Sequence, residues 1–468
     1  MPRSVRLAVA VPAAAALLTF SLALTGTAAE GGVHGTPGSP GVHDPYFPQA
    51  GNGGYHVEHY ALTLDYTPSG HRLTGTAVIT ARALQDLSAF DLDLAGLHVD
   101  SVTVEGRRAP FGRSGQELTV RPHTDLNAGE TFRTTVRYSG VPRTLTDPDG
   151  SKEGWLPTAD GALGLGEPVG SMAWFPGNHH PSDKAAYDIT VTVPKGLQAV
   201  SNGELAGQST RGGRTSYHWH TAQPMASYLA TVAVGHFTLT RTTGPHGLPI
   251  LTAVAPDQAK DSADVIARLP GIVKWEEDTF GPFPFSSVGA IVAGEGAAGY
   301  ALETQNRPTF PGAPDTGTVV HELAHQWYGD SVTPKSWQDM WLNEGFATYA
   351  QWLWQEDHDG DSAQKIFTDL YDGDDDSIWA YPPAKPSGAA HISDSPVYER
   401  GAMVLHKIRQ KVGDKGFFAL LRSWPASHRF GSADTADFTA YVEKQFPGTD
   451  FTEIWKDWLY GNGKPAHA

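Results

Sequence analysis

The spacing of apolar residues changes partway along this chain of 468 residues, and that change constrains the fold more than any other feature. Between about residues 46 and 244, apolar residues alternate with polar or small ones, as Ile189, Val191 and Val193 do. A repeat of two residues is the pattern of a strand with one buried face. Turn signals such as Ser201-Asn202-Gly203 separate the alternating runs. We therefore predict an N-terminal β domain, an antiparallel sandwich or saddle, over residues 46–244.

The second half of the chain has the spacing of helices instead. Four long segments carry apolar residues three or four positions apart, namely Asp264–Phe280, Asp315–Tyr328, Trp341–Glu356 and Pro396–Val412. Two shorter helical patterns follow within Asp434–Leu459. We predict a mainly α domain over residues 245–465, so that the whole chain has a multidomain α+β fold.

The N-terminal residues predict where the protein works. Arg3 and Arg6 precede an apolar run from Leu7 to Leu24, and Thr27-Ala28-Ala29 supplies the small residues of a cleavage site. This is the pattern of a secretory signal peptide over residues 1–29, so we expect a secreted, extracellular protein. An uncleaved membrane anchor is the alternative, because the apolar run is nearly long enough to span a bilayer.

Composition narrows the remaining possibilities. Residues 30–45 are rich in Gly, Pro and His, which predicts a flexible leader ahead of the β domain. The formal net charge of −17 at pH 7 disfavours nucleic acid as a partner, because phosphates attract Lys and Arg patches. We expect a monomer with no stable membrane association once the signal peptide is removed. The chain has no cysteine, so a bound metal must use His and carboxylate ligands.

One short motif carries the chemistry. In His321-Glu322-Leu323-Ala324-His325 the two histidines are four residues apart, so on a helix they share one face and reach a single ion. Glu322 points off that axis, where it can hold a water molecule. Glu344, on the next predicted helix, is placed to be the third ligand. Three protein ligands leave one position open for water, which is the arrangement of a catalytic rather than a structural zinc ion.

The alternative for this motif is a helix that merely carries two histidines on its surface or in its core. Apolar residues flank the motif, among them Val319, Val320 and Trp327, so the helix is predicted to be interior. Burying these polar groups is costly unless they have partners. The motif therefore favours one bound zinc ion per chain.

These residues and their surroundings resemble the M1 (gluzincin) family of zinc aminopeptidases. The resemblance includes the metal motif from His321 to Trp327 with Asn343-Glu344-Gly345-Phe346, the segment Tyr398-Glu399-Arg400-Gly401-Ala402, and the segment from Trp174-Phe175-Pro176 to Ala185. It covers nearly all of the chain after the predicted signal peptide. It implies a saddle-like β domain packed on a thermolysin-like zinc peptidase domain, and removal of single residues from the free N-termini of peptides.

The resemblance also implies roles for individual residues. Glu322 is expected to be the general base that activates water, and Tyr398 is expected to donate a hydrogen bond to the oxyanion. Glu303 and Glu167 are expected to bind the α-ammonium group of the substrate. Asp339 is a weaker candidate for orienting one of the metal-binding histidines.

The family's Gly-Ala-Met-Glu-Asn motif fixes which carboxylate is the first ammonium ligand. Tyr300-Ala301-Leu302-Glu303-Thr304 matches the motif at Ala301 and Glu303, which are therefore assigned to substrate binding. A register beginning at Gly296 has no Glu at the required position. Glu167 is assigned by its spacing from the later Phe-Pro.

Two departures from the family pattern affect the expected substrate cleft. Tyr300 stands where the family usually has Gly, which should add bulk to the first substrate pocket. The chain ends soon after Trp455–Pro465, whereas many relatives carry a large helical C-terminal domain there. We therefore expect a short form of the family with a more open cleft.

Three other functions remain possible from the sequence. A thermolysin-like endopeptidase would share the zinc chemistry but would not require a free amino group. A family relative could open a lipid epoxide. A non-catalytic secreted binding protein is the third alternative, and the complete set of candidate catalytic residues argues against it.

Overall fold

A computed structural model describes residues 34–294 and 296–467. The predicted signal peptide lies outside the described residues. The first half is built from β-sheets and the second half mainly from helices, which confirms the predicted fold class. None of the helices in the described ranges is both long and apolar enough to cross a membrane.

The largest sheet has eight strands and forms the body of the N-terminal half. In spatial order they are Glu204–Arg211, Arg214–Ala226, Lys184–Pro194, Tyr55–Thr67, Arg72–Ala83, Thr131–Gly140, His98–Val104 and Arg107–Arg108. Neighbours are antiparallel except where Tyr55–Thr67 runs parallel to Lys184–Pro194. Its alternating residues Tyr60, Leu62 and Leu64 are all buried, so the predicted repeat of two residues marks the core face.

Two smaller sheets complete the N-terminal half. The five-stranded sheet is antiparallel, in the order Thr144–Thr146, Lys152–Pro157, Ala162–Leu165, Val232–Gly235 and Gln198–Ser201. The four-stranded sheet has the order Thr36–Pro37, Leu87–Asp93, Glu117–Val120 and Phe111–Ser114. The five-stranded sheet matters for function, because the turns at its ends supply part of the site described below.

Residues 34–45 differ from the predicted flexible leader. Thr36–Pro37 pairs with the strand Leu87–Asp93. Asp44 is buried, and its Oδ2 accepts hydrogen bonds from the backbone N–H of Trp337 at 2.9 Å and from the Ser336 hydroxyl at 2.8 Å. A Gly- and Pro-rich composition alone did not reveal these long-range contacts.

Another mixed sheet, of four strands, begins the second half of the chain. Its strands are Thr238–Thr243, Pro249–Val254, Val288–Val292 and Thr309–Phe310, in that order. The first two form a hairpin. The boundary predicted between residues 244 and 245 therefore lies in the turn of that hairpin rather than between two separate units, since both strands belong to the same sheet. A short parallel pair, Thr333–Pro334 and Ser432–Ala433, lies farther along.

Within the described ranges, six α-helices form most of the rest of the second half. They are α1 (Ala263–Phe280), α2 (Thr316–Ala324), α3 (Trp341–Asp357), α4 (Ala363–Asp372), α5 (Gly401–Ser427) and α6 (Thr435–Gln445). Asp315 caps α2 by accepting from the N–H of Thr318 at 2.8 Å. The sequence predicted that α2 would continue to Tyr328, but the chain tightens into turns after Ala324.

The segment predicted as one helix from Pro396 to Val412 consists of two helical elements of different type. A π-helical turn at Pro396–Arg400 leads into α5, which kinks at Gly413, where φ is 73°. Helices α3 and α5 approach so closely that a Cβ on Gly345 would lie 2.9 Å from the carbonyl carbon of Gly401. This contact brings the turn at Pro396–Arg400 beside the start of α3.

Candidate active site

Helices α2 and α3 bring the three predicted metal ligands together. His321 Nε2 lies 3.1 Å and His325 Nε2 lies 3.4 Å from the same atom, Glu344 Oε2. The side chains of His325 and Glu344 are 1% and 5% exposed. One ligand atom from each of the three residues lies within 4.8 Å of the others. The geometry is that of three ligands around one small cation.

A second layer of contacts orients the two imidazoles. His321 Nδ1 lies 3.2 Å from Gln351 Oε1, and His325 Nδ1 lies 3.0 Å from the Tyr328 carbonyl oxygen. Both partners are acceptors, so each Nδ1 must donate, and the lone pair of each Nε2 is free to face Glu344. Sequence reasoning missed both partners, although Gln351 is seven residues after Glu344 on the same face of α3.

The charges around these residues fit a metal cation. Burial alone would lower the pKa of His325, but the charges of Glu344 and Glu303 outweigh burial and raise that pKa well above its usual value. Burial opposes ionisation of Glu344, yet His325 and His321 hold its pKa at about 2. The carboxylate is therefore ionised and is stabilised by positive charge beside it. A divalent ion bound by two neutral imidazoles would supply that charge in place of a proton on His325.

Asp339 does not orient a histidine. Its Oδ1 accepts hydrogen bonds from the N–H of Thr435 at 3.0 Å and from the Thr435 hydroxyl at 2.7 Å. Asp339 therefore ties the start of α6 to the turn before α3, and the sequence-based role is wrong.

Glu322 has the environment of a proton acceptor. Its side chain is buried, and a carboxylate oxygen lies within 4.8 Å of ligand atoms of Glu303 and His325. Burial, with the charges of Glu303 and Glu344, raises the pKa of Glu322 well above its usual value. A carboxylate with raised proton affinity beside the metal ligands is suited to general-base work.

Tyr398 lies beside the metal ligand His321 in the same cavity. Its ring stacks on that of His321, with centroids 5.9 Å apart and planes 8° apart. Burial, followed by the charge of Glu344, raises the pKa of Tyr398 well above its usual value, so the hydroxyl keeps its proton and can donate it in a hydrogen bond. The buried Arg400 anchors this turn through hydrogen bonds to the carbonyls of Trp458 and Asp457, both at 2.9 Å.

Glu303 and Glu167 form an acidic end of the site. One oxygen from each lies within 4.8 Å of the other and of an oxygen of Glu344. Glu303 is 2% exposed, and its Oε1 has no hydrogen-bond partner within the described ranges. Burial raises the pKa of Glu303, and burial together with the charge of Glu303 raises that of Glu167 well above normal. Such carboxylates are suited to a cationic ligand.

The segment that carries Glu303 is fixed from two sides. Leu302 exchanges backbone hydrogen bonds with Thr309 at 2.8 and 2.7 Å, which joins the segment to the edge of the mixed sheet. Gln326 Nε2 donates to the Glu303 carbonyl at 3.2 Å. Both anchors lie outside the short motif by which Glu303 was recognised.

The metal ligands, the two candidate catalytic residues and the two carboxylates of the acidic end all line one cavity of about 530 Å³. The residues that carry the argument are Glu167, Tyr300, Ala301, Glu303, His321, Glu322, His325, Glu344 and Tyr398. The cavity therefore contains every residue to which the sequence assigned a metal-binding, catalytic or substrate-binding role. Tyr300 does add its ring to the wall, as expected, and its hydroxyl lies 3.5 Å from the Glu167 carbonyl oxygen.

Family models and a solved structure match this chain. Residues 313–458 match the peptidase family M1 domain, and residues 56–229 match the peptidase M1 N-terminal domain. The M1 zinc metallopeptidase of Deinococcus radiodurans has the same fold, with a TM-score of 0.83 at 29% identity over 92% of this chain and 100% of that chain. A mutant of that enzyme has been solved with a Tyr-Ser-Ala substrate, and mutants of a two-domain M1 zinc metallopeptidase have been solved with L-arginine and with L-tryptophan.

Curated relatives are more distant and longer. Probable aminopeptidase 1 of Saccharolobus solfataricus is 26% identical over 88% of this chain and 54% of its own length. Tricorn protease-interacting factor F2 of Thermoplasma volcanium is 28% identical over 64% of this chain and 41% of its own length. The chain spans about half the length of the curated relatives it matches. With both family domains, the fold and the metal-ligand geometry in agreement, the chain belongs to the M1 family of zinc metallopeptidases.

Proposed function

We propose that this protein is a secreted zinc aminopeptidase that removes single residues from the free N-termini of peptides. The observation that carries the proposal is a pair of carboxylates beside the metal ligands, the buried Glu303 and the half-buried Glu167. A free α-ammonium group offers a positive charge and three donors to such a pair. An endopeptidase has no need of uncompensated carboxylates at that end of its cleft.

The zinc ion fits His321, His325 and Glu344, because the Nε2 lone pairs and an ionised carboxylate meet there. When bound, it supplies a Lewis acid that polarises the scissile carbonyl and lowers the pKa of the attacking water. Glu322 takes the proton of that water and later transfers it to the leaving amine. Every protein ligand comes from α2, α3 or the turn that directly follows α2.

The remaining residues position the substrate and stabilise charge. Glu303 and Glu167 hold the ammonium group, which places the first peptide bond at the metal ligands and excludes bonds farther along the peptide. Tyr398 donates its hydroxyl proton in a hydrogen bond to the oxyanion as charge develops on it. The D. radiodurans relative has been solved with a Tyr-Ser-Ala substrate, which supports peptides as the substrate class.

A panel of aminoacyl chromogenic amides, each with and without an N-acetyl group, tests the activity. We expect hydrolysis of the free-amine substrates, loss of hydrolysis after zinc chelation and recovery when zinc is restored. Equal or faster cleavage of blocked or internal bonds would make the protein an endopeptidase. Zinc binding without turnover of any substrate would support the non-catalytic alternative.

Secretion rests on the pattern of residues 1–29 and needs its own test. The full chain should be expressed in a bacterial host, and the protein in the medium or periplasm should be sequenced from its N-terminus. We expect the exported protein to begin at Glu30. Retention of the intact N-terminus in the membrane fraction would favour the anchor instead.

A further inference from the structure

A second acidic group lies on the wall of the same cavity, away from the metal ligands. Asp147 and Glu153 flank the turn between the strands Thr144–Thr146 and Lys152–Pro157 of the five-stranded sheet. Asp147 lines the cavity and is 8% exposed, while Glu153 lies behind it and is fully buried. Neither residue belongs to a motif by which the family was recognised.

Only one oxygen of Glu153 is satisfied. Its Oε2 accepts hydrogen bonds from the N–H groups of Val169 at 3.0 Å and Gly170 at 2.5 Å. Its Oε1 has no partner within the part of the chain that the structure describes. The carboxyl groups of Glu153 and Asp147 are within hydrogen-bonding reach of each other. Two carboxylates this close repel each other unless a proton or another cation lies between them.

The local backbone is shaped to accept this buried carboxylate. A Cβ on Gly170 would lie 2.7 Å from Glu153 Oε2 and 2.5 Å from the N–H nitrogen of Gly154. Any larger residue at Gly170 would therefore displace Glu153. Burial raises the pKa of Asp147 to about 6 and that of Glu153 well above its usual value.

Tyr300 connects this acidic pair to the ammonium-binding end. Its hydroxyl lies 3.5 Å from the carbonyl oxygen of Glu167. After burial, the charges of Glu153, Glu167 and Asp147 all contribute to raising its pKa. The phenol is therefore close enough to both groups of carboxylates to be affected by their charges, and its half-buried ring lines the same cavity.

Within the described ranges no basic side chain forms an ion pair with Asp147, although the charge of Lys152 acts to lower the pKa of Asp147. The basic residues lining the cavity are Lys152, His321 and His325. The two histidines bind Glu344, and the ammonium group of the exposed Lys152 donates to the Thr146 hydroxyl. The cavity thus has two places whose carboxylates form no ion pair with a lysine or arginine within the described ranges, and the α-ammonium group of a substrate can occupy only one of them.

We propose that Asp147, supported by Glu153, binds the guanidinium group of an N-terminal arginine and makes the enzyme prefer basic N-terminal residues. This inference rests on the proposed aminopeptidase function. The α-ammonium group binds Glu303 and Glu167, the aliphatic part of the arginine side chain lies along Tyr300, and the planar guanidinium reaches the carboxylates. Ionised donors and acceptors make hydrogen bonds about twice as strong as neutral ones do, so the charge decides the preference.

The test compares arginyl and citrullyl p-nitroanilides, because citrulline has nearly the shape of arginine without its charge. For the wild-type enzyme we expect kcat/KM to be at least about 10-fold higher for the arginyl substrate. Asp147→Asn should bring the arginyl-to-citrullyl ratio close to one. The control is Asp261→Asn, an exposed carboxylate before α1 that does not line the cavity, and it should keep the wild-type ratio.

A second measurement guards against misfolding of the variant. Free L-arginine should inhibit wild-type hydrolysis of a leucyl substrate with a lower inhibition constant than L-citrulline. Equal rates and equal inhibition constants for the charged and neutral compounds would overturn the inference while leaving the aminopeptidase function intact. No hydrolysis of any free-amine substrate would instead overturn the proposed function itself.

Discussion

The two ends of the cavity are built in opposite ways. At the metal end, formed by His321, His325 and Glu344, the side chains come from helices and the turn directly after one, and their outer atoms have hydrogen-bond partners. At the amine end, formed by Glu303 and Glu167, loops carry the carboxylates, and Glu303 Oε1 has no partner within the described ranges. The metal end is therefore preorganised for a resident ion, whereas the amine end, in our proposal, gains its cationic partner when substrate binds.

The difference explains how one cavity can combine chemistry with selectivity. A permanent cation at one end keeps the catalytic groups in place between turnovers. At the other end, the buried Glu303 and the half-buried Glu167 form no ion pair within the described ranges, which favours a cationic ligand. The following predictions test this contrast, beginning with the largest expected effect.

Removing a metal ligand should abolish activity. His325→Ala deletes the more deeply buried of the two imidazoles beside Glu344, so we expect loss of bound zinc and loss of aminopeptidase activity to background. Zinc content by mass spectrometry and hydrolysis of a leucyl amide measure the two effects. Full zinc occupancy in the variant would show that the ion lies elsewhere.

Removing the general base should leave the metal in place. Glu322→Gln is expected to lower kcat by about 10²–10⁴-fold while the zinc content stays at one per chain. The amide keeps the shape of the carboxylate but cannot accept the proton of the attacking water. A variant that lost zinc as well would indicate that Glu322 acts as a ligand.

Removing the hydroxyl of Tyr398 should affect the transition state alone. Tyr398→Phe keeps the ring that stacks on His321, so we expect kcat to fall by about 10²–10³-fold with little change in KM. Tyr460→Phe, at a residue 48% exposed, is the matched control and should leave kcat unchanged. A rise in KM without a fall in kcat would assign Tyr398 to substrate binding instead.

Removing a charge at the amine end should lower kcat/KM for free-amine substrates without removing zinc. Glu303→Gln is expected to lower kcat/KM for free-amine substrates by about 10- to 100-fold, the worth of one charge-assisted hydrogen bond. Zinc content should remain as in the wild-type enzyme. If kcat/KM were unaffected, the ammonium group would have to bind at some other carboxylate.

The smallest expected effect tests the second layer of the metal end. Gln351→Ala removes the acceptor for His321 Nδ1, and such partners are typically worth about 10- to 100-fold in metal affinity. Gln355→Ala, on the exposed face of the same helix, is the control. Chelator competition measures both. Equal zinc affinity in the two variants would mean that the imidazole is oriented without Gln351.

The sequence predicted the parts of this molecule that depend on local spacing. Alternating residues such as Tyr60 and Leu62 identified the strands, and the four-residue spacing of His321 and His325 identified the metal-binding face of α2. The end of α2 was not predictable, because Trp327 and Tyr328 continue its apolar spacing after its regular hydrogen bonds have given way to tighter turns at Gln326 and Trp327.

Features made by long-range contacts were not predictable. The strand Thr238–Thr243 has the same alternating pattern as the strands before it. Nothing in that pattern shows that it forms a hairpin with Pro249–Val254 and so belongs to the next sheet. Asp44 appeared to be part of a polar leader, yet it is buried against residues almost 300 positions later. Asp147 and Glu153 belong to no motif; the five-stranded sheet places Asp147 on the cavity wall, and the Val169–Gly170 turn holds Glu153 behind it.

The central claim is that the amine end selects a free α-ammonium group, and a binding measurement without turnover tests it most directly. The zinc-loaded Glu322→Gln variant should be titrated by calorimetry with a tripeptide and with the same tripeptide acetylated at its N-terminus. We expect the free peptide to bind at least about 100-fold more tightly, since two charge-assisted contacts are lost on acetylation. Equal affinity for the two peptides would contradict the account.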